Sequence, residues 1–268
     1  MSIPAASPDS RAVVTGASHG IGEALAAELA ARGYHLIITA RREELLNDLA
    51  SRLTENYGVT VEVRALDLTD QADRAKLADE LAGRDISILC ANAGVATLGP
   101  VAALDPAGER ALVQLNVVAV HDLVLAVLPG MLERRAGGIL ISGSAAGNSP
   151  IPNNAAYSSS KAFLNTFSEA LHVELKGSGV NVTLLAPGPV NSGLPDFVEA
   201  STVDNVIPDY MWVTTEYTAK ASLDGLGRNK MRVVPGIPAK AMSLVSQYAP
   251  RALLAPIVGN VYKKLAGG

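Results

Sequence analysis

Cysteine is nearly absent from this chain: 268 residues contain one, Cys90, inside the apolar run ISILCANAG. A single thiol excludes a disulfide framework and fits a reducing, intracellular setting. Charge is also sparse. Charged residues make up 18% of the chain and the formal net charge is −4, which excludes the basic footprint of a nucleic-acid-binding protein. The N-terminus MSIPAASPDS lacks the charged stretch and apolar run of a secretory signal. No apolar stretch is expected to span a bilayer, so the chain is placed in the cytoplasm. The four histidines, His19, His35, His121 and His172, have no metal-ligand spacing, and no metal is assigned. Internal repeats and low-complexity linkers are missing as well.

What is present is a regular alternation. RAVVTGA, YHLIITA, VTVEVRALDL, ISILCANAG, GGILISGS and VNVTLLAPGPV read as strands, and helical runs separate them. Alternation of this kind implies parallel strands with right-handed crossovers. Strands that are apolar throughout imply helices on both faces of the sheet. The fold class is α/β, a single doubly wound domain over residues 11–235. Residues 1–10 are expected to be a flexible lead-in. Residues 193–222, with the only tryptophan, Trp212, read as a loop-rich cap, and MRVVPG as a last strand closing the sheet. The extension 236–268 is apolar with a basic end. It is expected to pack in an interface rather than lie on a membrane surface through Lys263 and Lys264.

Two local patterns suggest chemistry. AAYSSSKAF sets Tyr157 and Lys161 four residues apart, on one face of a helix. The pair is either a phenol tuned by a neighbouring cation for proton transfer, or a half-exposed aromatic beside a solvated lysine. VVTGASHGIGEAL places Gly16, Gly20 and Gly22 between the first strand and the first helix. Glycines there allow a tight turn and close approach of backbone to a pyrophosphate, and the helix N-terminus adds free N–H groups. The spacing is not the common G-x-G-x-x-G, and an ordinary Gly-rich turn would look the same.

Further motifs follow in order. TGASHGIG, ALDLTD, ANAG, LNVV, ISGSAAG, YSSSK and PGPVNS run from residue 15 to residue 192. Taken together, the chain resembles the short-chain dehydrogenase/reductase family in its compact, non-extended branch. Within it the chain is similar to a bacterial group related to ketoacyl and hydroxysteroid reductases. The resemblance implies a Rossmann fold and a nicotinamide cofactor. It implies a catalytic set of Asn116, Ser144, Tyr157 and Lys161, with Tyr157 as acid in carbonyl reduction. Lys161 would lower the phenol's pKa, and Ser144 would hold the substrate oxygen. Asn116 would sit on a helix distortion that completes a proton relay. Ser142 is the rival for Ser144: strand parity cannot separate them, and only the thirteen-residue interval to Tyr157 favours Ser144. Ser158, Ser159 and Ser160 are expected to pack or face solvent.

The same resemblance assigns cofactor contacts to Gly16, Ser18, His19, Gly20, Ile21, Gly22, Arg41, Arg42, Asp67, Leu68, Asn92, Ala93, Gly94, Tyr157, Lys161, Pro187, Gly188, Val190 and Ser192. Asp67 could instead merely cap the turn that follows. NAD-preferring members end the second strand with an acidic residue, and here Ala40 stands there, followed by Arg41 and Arg42. This points to NADP(H). Arg41 is expected to contact the 2′-phosphate, whereas Arg42 reads more as a solvated cation starting the next helix. Substrate contacts fall on Val95, Leu98, Ile151 and Leu194, with Pro152 and Phe197 beside them, an apolar set suiting a ketone, aldehyde or 3-oxoacyl thioester. The expected partners are a small-molecule substrate and a second copy in a homodimer or homotetramer, through two helices that are apolar over more than one stripe. The alternative is a catalytically silent cofactor sensor or partner-binding protein of the same fold. A serine hydrolase is a poor reading, since Gly143 directly precedes Ser144 and breaks the G-x-S-x-G elbow. An extended-branch epimerase would need a larger C-terminal domain.

Overall fold

A computed structural model of the chain describes residues 3–191, 208–248 and 256. Strands β1 (Arg11–Thr15), β2 (Leu36–Ala40), β3 (Val61–Ala65), β4 (Ile86–Ala91), β5 (Gly137–Ser142), β6 (Val180–Leu185) and β9 (Arg232–Val233) build one parallel sheet. Their order is β3-β2-β1-β4-β5-β6-β9. The direction of winding reverses between β1 and β4, so a crevice opens at the carboxyl ends of these two strands. A short parallel pair, β7 (Val190–Asn191) with β8 (Val213–Thr214), lies beyond β6.

Alternation along β1 shows how both faces are covered. Ala12 and Val14 join the core beneath α1 (Gly20–Ala31) and α2 (Glu43–Tyr57), which includes Leu25, Leu29, Leu46 and Leu49. Val13 points the other way, into the core with Leu77, Leu123, Val127 and Leu164. Those residues come from α3 (Gln71–Ala82), α5 (Val120–Arg134) and α6 (Ala155–Glu174). The termini obey local chemistry. Asp70 caps α3 by accepting from the amides of Ala72 and Asp73, and Gly58 ends α2 in the left-handed region at φ 68°.

Three expectations change here. Residues 3–10 are not a loose lead-in: Ile3 packs against the first core and Tyr34 Oη donates to Pro4 O. The reading of 193–222 as loop runs too far, because Thr215–Gly227 is a helix, α7. Thr214 caps it by accepting from Tyr217 N, and Ala219, Leu223 and Leu226 enter the core with Leu25. Their i, i+4, i+7 spacing was present in the sequence but masked by Thr, Ser and Gly around it. Finally, one stretch does meet the length and apolarity of a bilayer span. Pro106–Arg134 is a continuous 29-residue helix, comprising α4 (Pro106–Val113), a π segment (Gln114–Ala119) and α5, with an 18-residue window of mean hydropathy 2.0. Here it covers the sheet, with Val120, Leu123, Val124, Val127 and Met131 buried.

On the edge strand β3, Glu62 accepts from Arg11, Arg64 and Arg84, each at 2.7–2.9 Å. Chiefly the Arg84 bond holds this carboxyl down at about 2. A carboxylate whose pKa falls on folding adds stability above its ordinary value and loses it as pH drops toward 2. Glu62→Gln is therefore expected to cost about 1–3 kcal/mol at neutral pH. In urea titrations that gap should close between pH 4.5 and pH 2.

Candidate active site

The crevice is sewn together from strand ends. Thr15, the last residue of β1, accepts on Oγ1 from the amides of Asn92 (3.0 Å) and Ala93 (2.9 Å), while Asn92 Nδ2 donates to Thr15 O. Ser142, closing β5, donates to Asn92 Oδ1 at 3.0 Å. The turn after β1 runs through Gly16 (φ 68°) and Gly20 (φ 62°). A Cβ on Gly16 would lie 2.9 Å from Ala93 Cα, and one on Gly22 would collide with Gly16 O, so this turn is held tight against the segment that follows β4. His19 precedes α1 without a side-chain cap, leaving the first-turn amides of the helix open toward the crevice. Side-chain-free glycines and an uncapped, 12-residue helix N-terminus form a cradle that fits a dinucleotide pyrophosphate.

Arg42 and Arg41 separate. Arg42 Nη2 lies 3.2 Å from Ser18 Oγ and 3.0 Å from His19 Nδ1, so it folds back over the glycine loop. Arg41 is exposed and makes no hydrogen bond or ion pair with a described residue. Asp67 does cap its turn, accepting from Thr69 N and Thr69 Oγ1 through Oδ1. The side chain of Leu68 belongs to the second core and can offer the crevice only backbone. Pro187 O accepts from Ala145 N, and Gly188 packs under Ala239. Val190 is half-buried, while Ser192 and Leu194, with Phe197, lie outside the described residues.

Around the second half of the crevice, Tyr157, Lys161, Ser144 and Asn116 converge. Asn116 sits in the π segment and is fully buried. Its Oδ1 accepts from Val95 N and its Nδ2 donates to Val95 O, both at 2.9 Å, and to Ser160 Oγ at 3.0 Å. Ser160 passes the chain on by donating to Tyr157 O at 2.7 Å. Ser160 is therefore tied to the site, not a packing bystander; Ser159 alone of the three serines is exposed. Lys161 is buried, donates to Ser142 O at 2.7 Å, and lies 5.7 Å from the Tyr157 ring centroid. Burial pulls its ammonium down to about 8. Burial also raises the Tyr157 phenol, against the opposing effect of its hydrogen bond to Ser144. The phenol is thus raised and not depressed in this arrangement, with burial as the larger cause.

Parity could not separate Ser142 from Ser144, but hydrogen bonding does. The Ser142 hydroxyl donates to Asn92, while the Ser144 hydroxyl accepts from Ala146 N at 3.0 Å and so keeps its own proton available beside the phenol. One residue escaped sequence reasoning: Asn165. It accepts from Ser144 N at 3.3 Å and donates to Ser144 O at 2.9 Å, clasping both backbone groups. It lies four residues beyond Lys161, on the same helix face, and that spacing was the available signal. Val95 is exposed at the rim, Leu98 is half-buried and Ile151 is buried; Pro152 is exposed. Among the described residues no cluster of His, Cys, Asp or Glu could hold a metal.

A seven-stranded parallel sheet with this crevice defines a nucleotide-binding α/β class. The chain belongs to the short chain dehydrogenase family, whose sequence profile matches residues 10–201. It is 40% identical over 182 residues to a very-long-chain 3-oxoacyl-CoA reductase of Anas platyrhynchos, covering 66% of this chain and 58% of that protein. It is 38% identical over 180 residues to sulfoacetaldehyde reductase 2 of Chromohalobacter salexigens, covering 66% and 71%. The chain thus spans little more than half the length of the long-chain reductases it matches. Among solved structures, a short-chain dehydrogenase from Sphingobium yanoikuyae in complex with NADPH superposes with a TM-score of 0.80 at 30% identity, covering 91% of this chain and 95% of that one.

Proposed function

We propose that this protein is an NADP(H)-dependent carbonyl reductase, with Tyr157 as the proton donor to a ketone, aldehyde or 3-oxoacyl thioester. The observation that carries the reading is the convergence of the Tyr157 phenol, the Ser144 hydroxyl and a buried Lys161 whose ammonium donates to Ser142 O at 2.7 Å. The nicotinamide cofactor supplies the hydride when bound. The chain supplies the rest. Ser144 Oγ, oriented by Asn165, donates to the substrate oxygen and stabilises the charge developing there. Tyr157 Oη, kept protonated by burial, delivers its proton to that oxygen. Lys161, four residues on, stabilises the phenolate as it forms, and Ser160 and Asn116 brace the backbone of Tyr157. Glycines and the open helix N-terminus hold the pyrophosphate. A silent cofactor sensor would keep the cradle but has no use for the paired Ser144 and Tyr157 hydroxyls. The deciding assay is NADPH oxidation by the purified chain over a panel of ketones, aldehydes and 3-oxoacyl thioesters; cofactor binding without any turnover overturns the reading.

The preference for NADP(H) rests on Ala40, which leaves no carboxylate to repel a 2′-phosphate, and on Arg42 at the glycine loop. One charge-assisted contact is worth about 1.5–3 kcal/mol, or about tenfold and more in affinity. Arg42→Ala is expected to weaken NADPH by that factor and NADH hardly at all, with Arg41→Ala having the smaller effect. Fluorescence titration with both cofactors measures this, and tighter binding of NADH to the unmodified protein contradicts it.

For assembly, we read a homodimer or homotetramer formed through α5 and α6. Leu125, Leu132, Phe163 and Val173 are exposed there, and Phe163 stacks on Phe167 with ring centroids 5.7 Å apart. Light scattering at micromolar concentration should give a multiple of 27.7 kDa; a monomer mass rejects the proposal. A reducing cytoplasmic setting suits Cys90, whose fully buried thiol is pushed up to about 12 and stays inert.

A further inference from the structure

The last described helix, α8 (Ile237–Tyr248), is inside out. A surface helix normally buries its apolar stripe. Here the side facing the protein carries Ala239 and Ser243, which are 3% and 1% exposed. Ser243 and Ser246 both accept from Asn148 Nδ2, at 3.2 and 3.1 Å, and Gln247 Nε2 donates to Ser243 Oγ. The opposite side carries Ile237, Leu244, Val245 and Tyr248, at 86%, 51%, 59% and 82% exposure. These residues follow one another at i, i+7, i+8 and i+11, a single helical stripe with Ala241 inside it. The helix is held in this orientation by its polar side, so the exposure of the apolar side is built in.

Charge indicates what covers the stripe. From Gly225 to the end the chain has seven Lys and Arg and no Asp or Glu, although the whole chain is at −4. Lys240 is exposed on α8 itself. Arg232 is spent on Glu169, but Arg251, Lys263 and Lys264 follow the helix in sequence, among apolar residues. A second copy would bring a stretch of the same sequence, cationic and without an acidic residue, and so offers these charges no partner of opposite sign. An apolar stripe with flanking cations and no acidic residue matches instead the interfacial region of a bilayer with anionic headgroups.

We propose that α8 is an interfacial helix that seats the protein on an anionic lipid surface, with Ile237, Leu244, Val245 and Tyr248 entering the headgroup region. The proposal does not depend on the catalytic reading. It is tested by flotation of the full chain with vesicles of equal phosphatidylglycerol and phosphatidylcholine, and with pure phosphatidylcholine. Binding is expected to the anionic vesicles, falling with added salt. The double variant Leu244→Glu, Val245→Glu should bind at least about tenfold more weakly with unchanged circular dichroism and melting temperature. Lys240→Glu, which leaves the stripe intact, should weaken binding to a lesser degree and only at low salt. Absence of vesicle binding overturns the proposal, as does equal binding by the double variant. Loss of an oligomer on the double substitution, seen by light scattering without vesicle binding by the parent, would assign the stripe to a second copy and also overturn it.

Discussion

Replacing Tyr157 with Phe is expected to lower carbonyl reduction by about 10²–10⁴-fold, the usual contribution of a positioned proton donor. Affinity for NADPH should be nearly unchanged. The ring sits on α6, one turn before Lys161, and its backbone is braced through Ser160 and Asn116 whether or not it carries a hydroxyl. Only the hydroxyl beside Ser144, with its proton, is lost. Ser144→Ala gives the complementary result: a lower rate from loss of the donor to the substrate oxygen, with Tyr157 still able to protonate. Single-turnover measurements of NADPH oxidation separate chemistry from binding. A rate for Tyr157→Phe close to that of the parent would remove the phenol from the reaction.

The second large effect concerns stability. Burial lowers Lys161 from 10.5 to about 8. Below pH 8 the unfolded chain holds this proton more tightly than the folded one, so the folded state carries a penalty of about 3 kcal/mol at pH 7. Because the folded pKa is the lower one, the penalty shrinks as pH rises from 8 toward 10.5, and stability from this group increases. Lys161→Met cannot titrate there. Between pH 7 and pH 9.5 the parent should therefore gain about 2 kcal/mol relative to the variant. The measurement is urea unfolding of both proteins at the two pH values, below the range where the raised Tyr157 phenol begins to ionise. Parallel curves would mean that Lys161 keeps its charge at no cost, through the Ser142 carbonyl or otherwise. A penalty of this size at the centre of the crevice is the pattern expected of a group retained for chemistry.

What could be read from the sequence follows physical scale. Strand and helix order came from periodicity, which is local and repeated, so β1 to β6 and the helices between them fell within a few residues of their observed bounds. The closing strand at Arg232–Val233 was legible for the same reason, although it pairs by only two residues. Helix α7 was lost because TEYTAKASLDGLG has weak helix propensity and is stabilised by packing against α1 and the sheet. Within the site, identities were legible and directions were not. Ser142 ends β5 and Ser144 lies beyond it at the start of the next turn, and only the position of Asn92, fifty residues away, commits the first hydroxyl as a donor. Arg41 and Arg42 are equivalent as letters; the turn into α2 sends one toward Ser18 and His19. The sign of the Tyr157 shift also depended on burial, which no spacing of residues reveals.

The π segment between α4 and α5 has a consequence for insertions and deletions. A π turn accommodates one residue more than the α-helix around it, so Gln114–Ala119 behaves as a one-residue insertion in an otherwise continuous helix. Removing one residue there would restore regular helical bonding while α4 and α5 keep the faces they already present, so the loss falls on the bulge itself. Leu112 in α4 would stay in the core, but Asn116, which lies in the bulge, would no longer face Val95 and Ser160. Length, more than the identity of Val117 or Val118, is thus the constrained quantity along this stretch. Homologous chains should vary freely in its apolar letters while keeping the number of residues between Asp105, which caps the helix, and Arg134, which ends it.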